Sequence, residues 1–311
     1  TIAVSVRGWR VGEGRDSEMD IRFTKMHGLG NDFVFIEDME LGYEFSPDAV
    51  AWFCDRNFGI GADGLILVRP ATTADADFFM HYYNADGTTA EMCGNGIRCF
   101  AKYVVDHGLL SADADSLRVE TLGGIKPITF TRESDGTLVV ATVDMGEPVL
   151  TPSDIPSTFS GTQVFECPID TEYGTYEVTG VSMGNPHAII WVDDVEEAPV
   201  ENVGPAIEND PHFPRKTNVE FAQFMGDQTI RLRVWERGVG ETLACGTGAC
   251  ATLVAATLAC MVGRTATIEL PGGELEIHWA DDNHVYMTGS ATEVFSGVMV
   301  VDEDDGEFAT T

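Results

Sequence analysis

Long apolar runs are missing from this chain. The longest, around 249–262, is interrupted by Thr252 and Thr257 and stays below the ~18 consecutive apolar residues that a membrane-spanning helix needs. No membrane partner is expected. Basic residues are scarce: 18 Lys and Arg stand against 51 Asp and Glu in 311 residues, a formal net charge of −33. Only Lys25, Lys102, Lys126 and Lys216 are lysines. Nucleic acid is thereby excluded as a partner, because phosphate neutralisation calls for clustered Lys and Arg. The first eighteen residues lack the apolar stretch of a secretory signal. The seven cysteines are odd in number and contain no C-x-x-C, so neither a disulfide framework nor a metal site is expected. Reduced thiols in the cytoplasm are the default.

The hydrophobic fraction, 44%, is ordinary for a globular protein, so the acidity does not signal disorder. Like charges at this density repel one another in dilute buffer, and salt screens them. A salt-rich cytoplasm is therefore the expected setting. Residues 1–18 show no helix or strand periodicity, whereas a regular pattern opens at Met19 with Ile21-Arg22-Phe23-Thr24. Met19 is read as the biological start, and 1–18 as a non-native or disordered extension.

A duplication organises the rest. Tyr83-Asn84-Ala85-Asp86-Gly87 leads to Cys93-Gly94-Asn95-Gly96, and Trp235-Glu236-Arg237-Gly238 leads to Cys245-Gly246-Thr247-Gly248. Asn84 and Glu236 each end a strand pattern nine positions before a cysteine. Gly123-Gly124 and Gly272-Gly273 follow at similar distances, and Asn31 and Asn185 precede the cysteines by 62 and 60 residues. Ile97, Phe100, Ala101, Val104 and Val105 form a helical stripe after Cys93. The segment from Ala249 to Met261 is apolar nearly all round and reads as a buried helix. Each half is thus mainly strands packed around one helix, an α+β arrangement, with a Pro- and Ser-rich border near 146–160.

Each cysteine falls at the start of its helix. Free backbone N–H groups and a partial positive charge at that end favour a thiolate and cradle a carboxylate. The glycines let the backbone approach a ligand. Two such thiols suit a reaction in which one removes a proton from a carbon and the other returns one to the opposite face. Cys54, Cys99, Cys167, Cys250 and Cys260 read as inert core. A Cys93–His187 nucleophile pair is an alternative, but it leaves the second Cys-Gly-x-Gly without a role. Arg237 suits a substrate carboxylate through its planar fork. His187 and Glu236 are candidates to orient or tune the thiols.

These residues resemble the diaminopimelate epimerase family over about Ile21 to Val301. The likeness rests on Lys25-Met26-His27-Gly28-Leu29-Gly30-Asn31-Asp32-Phe33, the two cysteine motifs, Ser182-Met183-Gly184-Asn185-Pro186-His187 and Thr217-Asn218-Val219. It implies two pseudo-symmetric domains, each a mixed β-barrel-like sheet wrapped around a central helix, with the active site between them. The expected halves are 19–147, completed by 291–301, and 148–290, with an acidic tail at 302–311. The resemblance further implies cofactor-independent interconversion of LL- and meso-2,6-diaminopimelate in lysine biosynthesis, with no pyridoxal phosphate. Carried over by motif, Cys93 and Cys245 are the acid/base pair. Asn31, Asn84, Asn185, Asn218, Glu236 and Arg237 hold the amino acid, and the amides of Gly94, Asn95, Gly246 and Thr247 hold the carboxylate. One departure is Gly64, where many bacterial members carry a Gln. A small-molecule substrate and a homodimer are expected. A related racemase or isomerase of the same fold, or a non-catalytic amino-acid-binding protein with inert thiols, remains an alternative.

Overall fold

The computed structural model describes residues 2–4, 18–302 and 308–309. They divide into two compact units. The first runs to Ala141 and resumes at Ser290; the second is Thr142–Gly289. The two borders fall at 141/142 and 289/290, against the expected 147/148 and 290/291. Within the segment expected to be an extension, Ile2–Val4 pairs parallel with Gly297–Met299. The expectations for 5–17 and for most of the acidic tail lie outside the described residues.

The units repeat one topology. In the first, Glu18–Gly28 pairs antiparallel with Asn31–Glu37, which pairs parallel with Gly64–Pro70. Phe78–Asn84 follows antiparallel, Ser116–Thr121 parallel and Gly124–Arg132 antiparallel. In the second, Gly174–Ser182, Pro186–Trp191, Asn218–Gly226, Thr229–Glu236, Thr265–Leu270 and Gly273–Trp279 pair in the same alternation of senses. The described residues contain four helices: α1 (Pro47–Cys54), α2 (Gly94–Asp106), α3 (Val200–Glu208) and α4 (Gly246–Leu258). Both units are mixed sheets with one helix inside and one outside, the α+β class expected from the sequence.

Strand alternation explains these layers, since successive side chains point to opposite faces. Along Asn31–Glu37, Val34 and Ile36 pack in a core with Ala49, Val50 and Phe53 of α1. Phe33 and Phe35 turn the other way, and Phe35 stacks on Tyr103 of α2. In the second unit Ala188, Ile190, Val219 and Phe221 join Val200, Val203 and Ile207 of α3. A strand buried on both faces reads as a continuous apolar run, as Phe33-Val34-Phe35-Ile36 does.

α4 ends three residues earlier than its pattern suggested. Cys260 takes a left-handed φ of +56° and lies exposed in the turn that follows. Cys167 opens the strand Cys167–Thr171 and is half-buried. These two cysteines are therefore not core, whereas Cys54, Cys99 and Cys250 are buried. Among the described residues no helix is long and apolar enough to cross a membrane, and no three His, Cys, Asp or Glu converge to hold a metal ion.

Candidate active site

Equivalent backbone bonds hold the two cysteine loops. A two-residue hairpin joins Thr121 to Gly124, and the N–H of its Gly123 donates to the carbonyl of Glu91, two residues before Cys93 (2.9 Å). The matching hairpin joins Leu270 to Gly273, and Gly272 N–H donates to the carbonyl of Leu243, two residues before Cys245 (2.9 Å). Each cysteine then takes extended backbone and caps a helix, Cys93 for α2 and Cys245 for α4. A glycine at positive φ precedes the two asparagines matched across the repeat: Gly30 (+85°) before Asn31 and Gly184 (+96°) before Asn185.

In the first unit Cys93 is half-buried. Gly96 N–H donates to its Sγ at 3.5 Å, and the thiol reaches Asn31 Oδ1 at 3.6 Å. Asn95 Nδ2 donates to the same Oδ1 at 3.2 Å. Fully buried Arg98 donates to Asn95 Oδ1 (2.9 Å) and to the Gly94 carbonyl (3.0 Å), so a guanidinium stiffens the first helical turn. Asn31 Nδ2 donates to Asp63 Oδ2 at 2.8 Å. Next to it, Asp32 pairs with Arg56 and with Lys25, which also donates to the Gly61 carbonyl. Burial opposes ionisation of Asp32, but hydrogen bonds from Arg56 and Lys25 hold its carboxyl well below the usual carboxylate range. Asn84 donates to Thr88 Oγ1 at 3.0 Å. At Gly64 an added Cβ would stand 2.5 Å from the Tyr83 carbonyl and 2.6 Å from the Tyr82 ring, so the local packing leaves no space for a longer residue.

In the second unit Cys245 is buried. Its Sγ lies 3.6 Å from Thr247 Oγ1. Burial, then the nearby carboxyls of Glu236 and Glu220, push its thiol well above the ordinary cysteine value. The expected helix start is present, but burial and two acids act against a thiolate at Cys245. Burial also raises Glu236, whose Oε1 accepts from Thr242 Oγ1 at 2.5 Å. His187 bonds through both ring nitrogens, Nδ1 to Glu220 Oε1 (2.6 Å) and Nε2 to Asn185 Oδ1 (3.0 Å). Asn218 Nδ2 donates to the Pro186 carbonyl, and its Oδ1 accepts from Arg237 N–H. Arg237 is exposed, with Nη1 on the Arg215 carbonyl at 3.1 Å.

The expected residues thus gather in two groups. Asn31, Asn95 and Cys93 touch in one; Asn185 with His187, Glu236 with the Cys245 turn, and Asn218 with Arg237 form the other. Sequence reasoning missed Asp63, Arg98, Thr242 and Glu220. The signal for Glu220 was present, since a charged residue at an inward parity of the apolar run Val219–Ala222 must serve a buried partner.

A family model described as diaminopimelate epimerase matches residues 23–151 and 179–294. A diaminopimelate epimerase of Methanococcus maripaludis (strain C6) is 49% identical over 278 residues, 89% of this chain and 99% of that protein. One from Leptospira biflexa is 47% identical over 280 residues, 90% and 99% of the two chains. Among solved structures, a hydroxyproline epimerase from Agrobacterium vitis is similar with a TM-score of 0.66 at 15% identity, covering 92% of each chain. A phenazine biosynthesis protein of Bacillus anthracis is similar with a TM-score of 0.64 at 14% identity, covering 91% of this chain and 100% of that one. At such identities these two speak to the fold alone.

Proposed function

The chain belongs to the diaminopimelate epimerase family and is an amino-acid epimerase acting on diaminopimelate, and from that premise we propose that Cys93 and Cys245 are its two acid/base groups. The reaction interconverts the LL and meso forms, in lysine biosynthesis. Inversion at an α-carbon needs a base on one face and an acid on the other. A duplicated chain that places one thiol at the start of a helix in each repeat supplies one of each, and this is the observation that carries the reading.

In this account one sulfur takes the α-proton as a thiolate. The electron pair spreads into the adjoining carboxylate, whose growing charge meets the amides of Gly94 and Asn95 and of Gly246 and Thr247 at the helix starts. The second sulfur, entering as a thiol, protonates the carbon from the other side. Asn31, Asn84, Asn185 and Asn218, with Glu236 and Arg237, hold the two amino-acid ends. His187 orients one of these contacts, and Glu236 tunes Cys245. On this reading the turnover uses no pyridoxal phosphate, because two opposed thiols leave a Schiff-base lysine no task. Seven free cysteines and a net charge of −33 support a reducing, salt-rich cytoplasm as the setting.

Purified protein incubated with LL-diaminopimelate should yield the meso isomer on a chiral column without added cofactor, and its absorbance should show no pyridoxal band. Binding of diaminopimelate without conversion, or racemisation of proline instead, would overturn the reading.

A further inference from the structure

One difference between the repeats is not accounted for by acid/base chemistry at the cysteines. By strand register, Phe33 lies beside Gly64, and Ile66 two residues on; His187 lies beside Asn218, and Glu220 two residues on. Phe33 and Ile66 fill the space under Gly96 of α2, where an added Cβ would meet Ile66 Cδ1 at 3.1 Å. The matching space under Gly248 of α4 holds Glu220, whose Oε1 would lie 2.7 Å from an added Cβ. An apolar pair has been exchanged for a histidine and a glutamate, each 0% exposed. Burying such groups is costly unless they serve each other.

Counting protons fixes what the pair does. His187 Nδ1 and Glu220 Oε1 are 2.6 Å apart, so one proton lies between them. The buried pair is cheapest when its net charge is zero, the more so because Glu220 also meets two further acids, Glu236 and Cys245. A net charge of zero allows two forms, carboxylate with imidazolium or carboxylic acid with neutral imidazole. In both, His187 Nε2 carries a hydrogen, because the proton shifts only across the Oε1–Nδ1 bond. Nε2 must then donate to Asn185, which settles the amide: Oδ1 toward the histidine at 3.0 Å, NH2 outward.

We propose that Glu220 is a positioning residue that acts through His187 to hold the Asn185 amide with its NH2 group presented to substrate. Asn31 is held the other way. Asp63 accepts from its NH2 at 2.8 Å, which leaves its carbonyl toward Cys93. The two matched asparagines are therefore held with opposite polarity: Asn185 presents a donor suited to a carboxylate, whereas the Asn31 carbonyl accepts from Cys93 Sγ and Asn95 Nδ2. The structural tie stands by itself; its effect on catalysis rests on the reading of Asn185 as a substrate contact.

The test is nitrogen NMR of the 15N-labelled protein at pH 7, with the His187 signals assigned by their loss in His187→Gln. Nε2 should be protonated and Nδ1 should be the nitrogen facing Glu220. Glu220→Gln can still donate to Nδ1, so it should keep the Nε2 proton and a KM for diaminopimelate within about twofold of the original. Glu220→Met, of similar length without a polar partner, should raise KM about tenfold with kcat little changed, the loss expected for one hydrogen bond to a charged group. An unprotonated Nε2 in the unaltered protein, an unchanged KM in Glu220→Met, or equal losses in both variants would overturn the proposal. If Glu220→Met does not fold, the spectrum and Glu220→Gln decide. Absence of any turnover of diaminopimelate would defeat the functional reading, while the spectrum would still judge the tie.

Discussion

The two cysteine turns share a backbone and differ in chemistry. Cys93 sits half-buried with amides around it, Asn31 and Asn95, braced by Arg98. Cys245 is buried above two carboxyls and a histidine. The hairpin bonds that hold the loops, Gly123 to Glu91 and Gly272 to Leu243, are the same length. Duplication therefore preserved the frame, and single replacements within it altered the electrostatics: Asn84 against Glu236, Phe33 against His187, Ile66 against Glu220. A two-base inversion needs two groups that alternate between acid and base, and it does not need them to be alike at rest. Burial and the Glu236 and Glu220 carboxyls favour the protonated thiol at Cys245.

The largest effect should come from breaking either side. Cys93→Ala and Cys245→Ala should each lose ~10²–10⁴-fold in epimerisation rate, the range for a positioned acid/base group. Full activity in either variant would dissolve the pairing. Removing the charge that separates the two sites is a milder change. Glu236→Gln should bring the pH of half-alkylation of Cys245 down while leaving that of Cys93 in place, as followed by mass spectrometry of iodoacetamide adducts. Equal movement of both would deny the asymmetry.

Stability against pH separates the units in a further way. Glu236 is raised, so its contribution is present below the ordinary glutamate value and is lost as pH rises through the raised one. Glu236→Gln should therefore gain urea resistance relative to the original protein as pH rises above the ordinary glutamate value. Asp32 is lowered, so its contribution is present above the ordinary aspartate value and is lost only as pH falls through the lowered one. Asp32→Asn should be less stable at pH 7, with the gap closing only in strong acid. The smallest effect per site is that of salt, spread over 51 acids. The midpoint of unfolding should rise with KCl in both units, and maximal stability in dilute buffer would remove the salt-rich setting.

The duplication was legible in the sequence because glycines, cysteines and strand ends recur at nearly fixed offsets, and these mark backbone features that cannot drift. The helix starts at Cys93 and Cys245 could be read for the same reason. The hydrogen-bond network could not. Asp63 lies 32 residues from Asn31, and Glu220 lies 33 from His187, and only parallel strand pairing brings them together. The surroundings of Cys245 were hidden for a related reason: a helix end is a local signal, whereas burial and the charges of Glu236 and Glu220 are products of packing. Cys260 escaped the core because the chain turns left-handed after Leu258, which the apolar pattern did not announce.

The central claim is that two different groups handle the proton. LL-diaminopimelate turned over in D2O, sampled at a few per cent conversion, tests it directly. Two thiols of separate proton content predict deuterium at the inverted carbon of nearly every meso molecule, while the remaining LL substrate keeps its hydrogen. Meso product that retains the original hydrogen, or LL substrate that gains deuterium as fast as product forms, would contradict it.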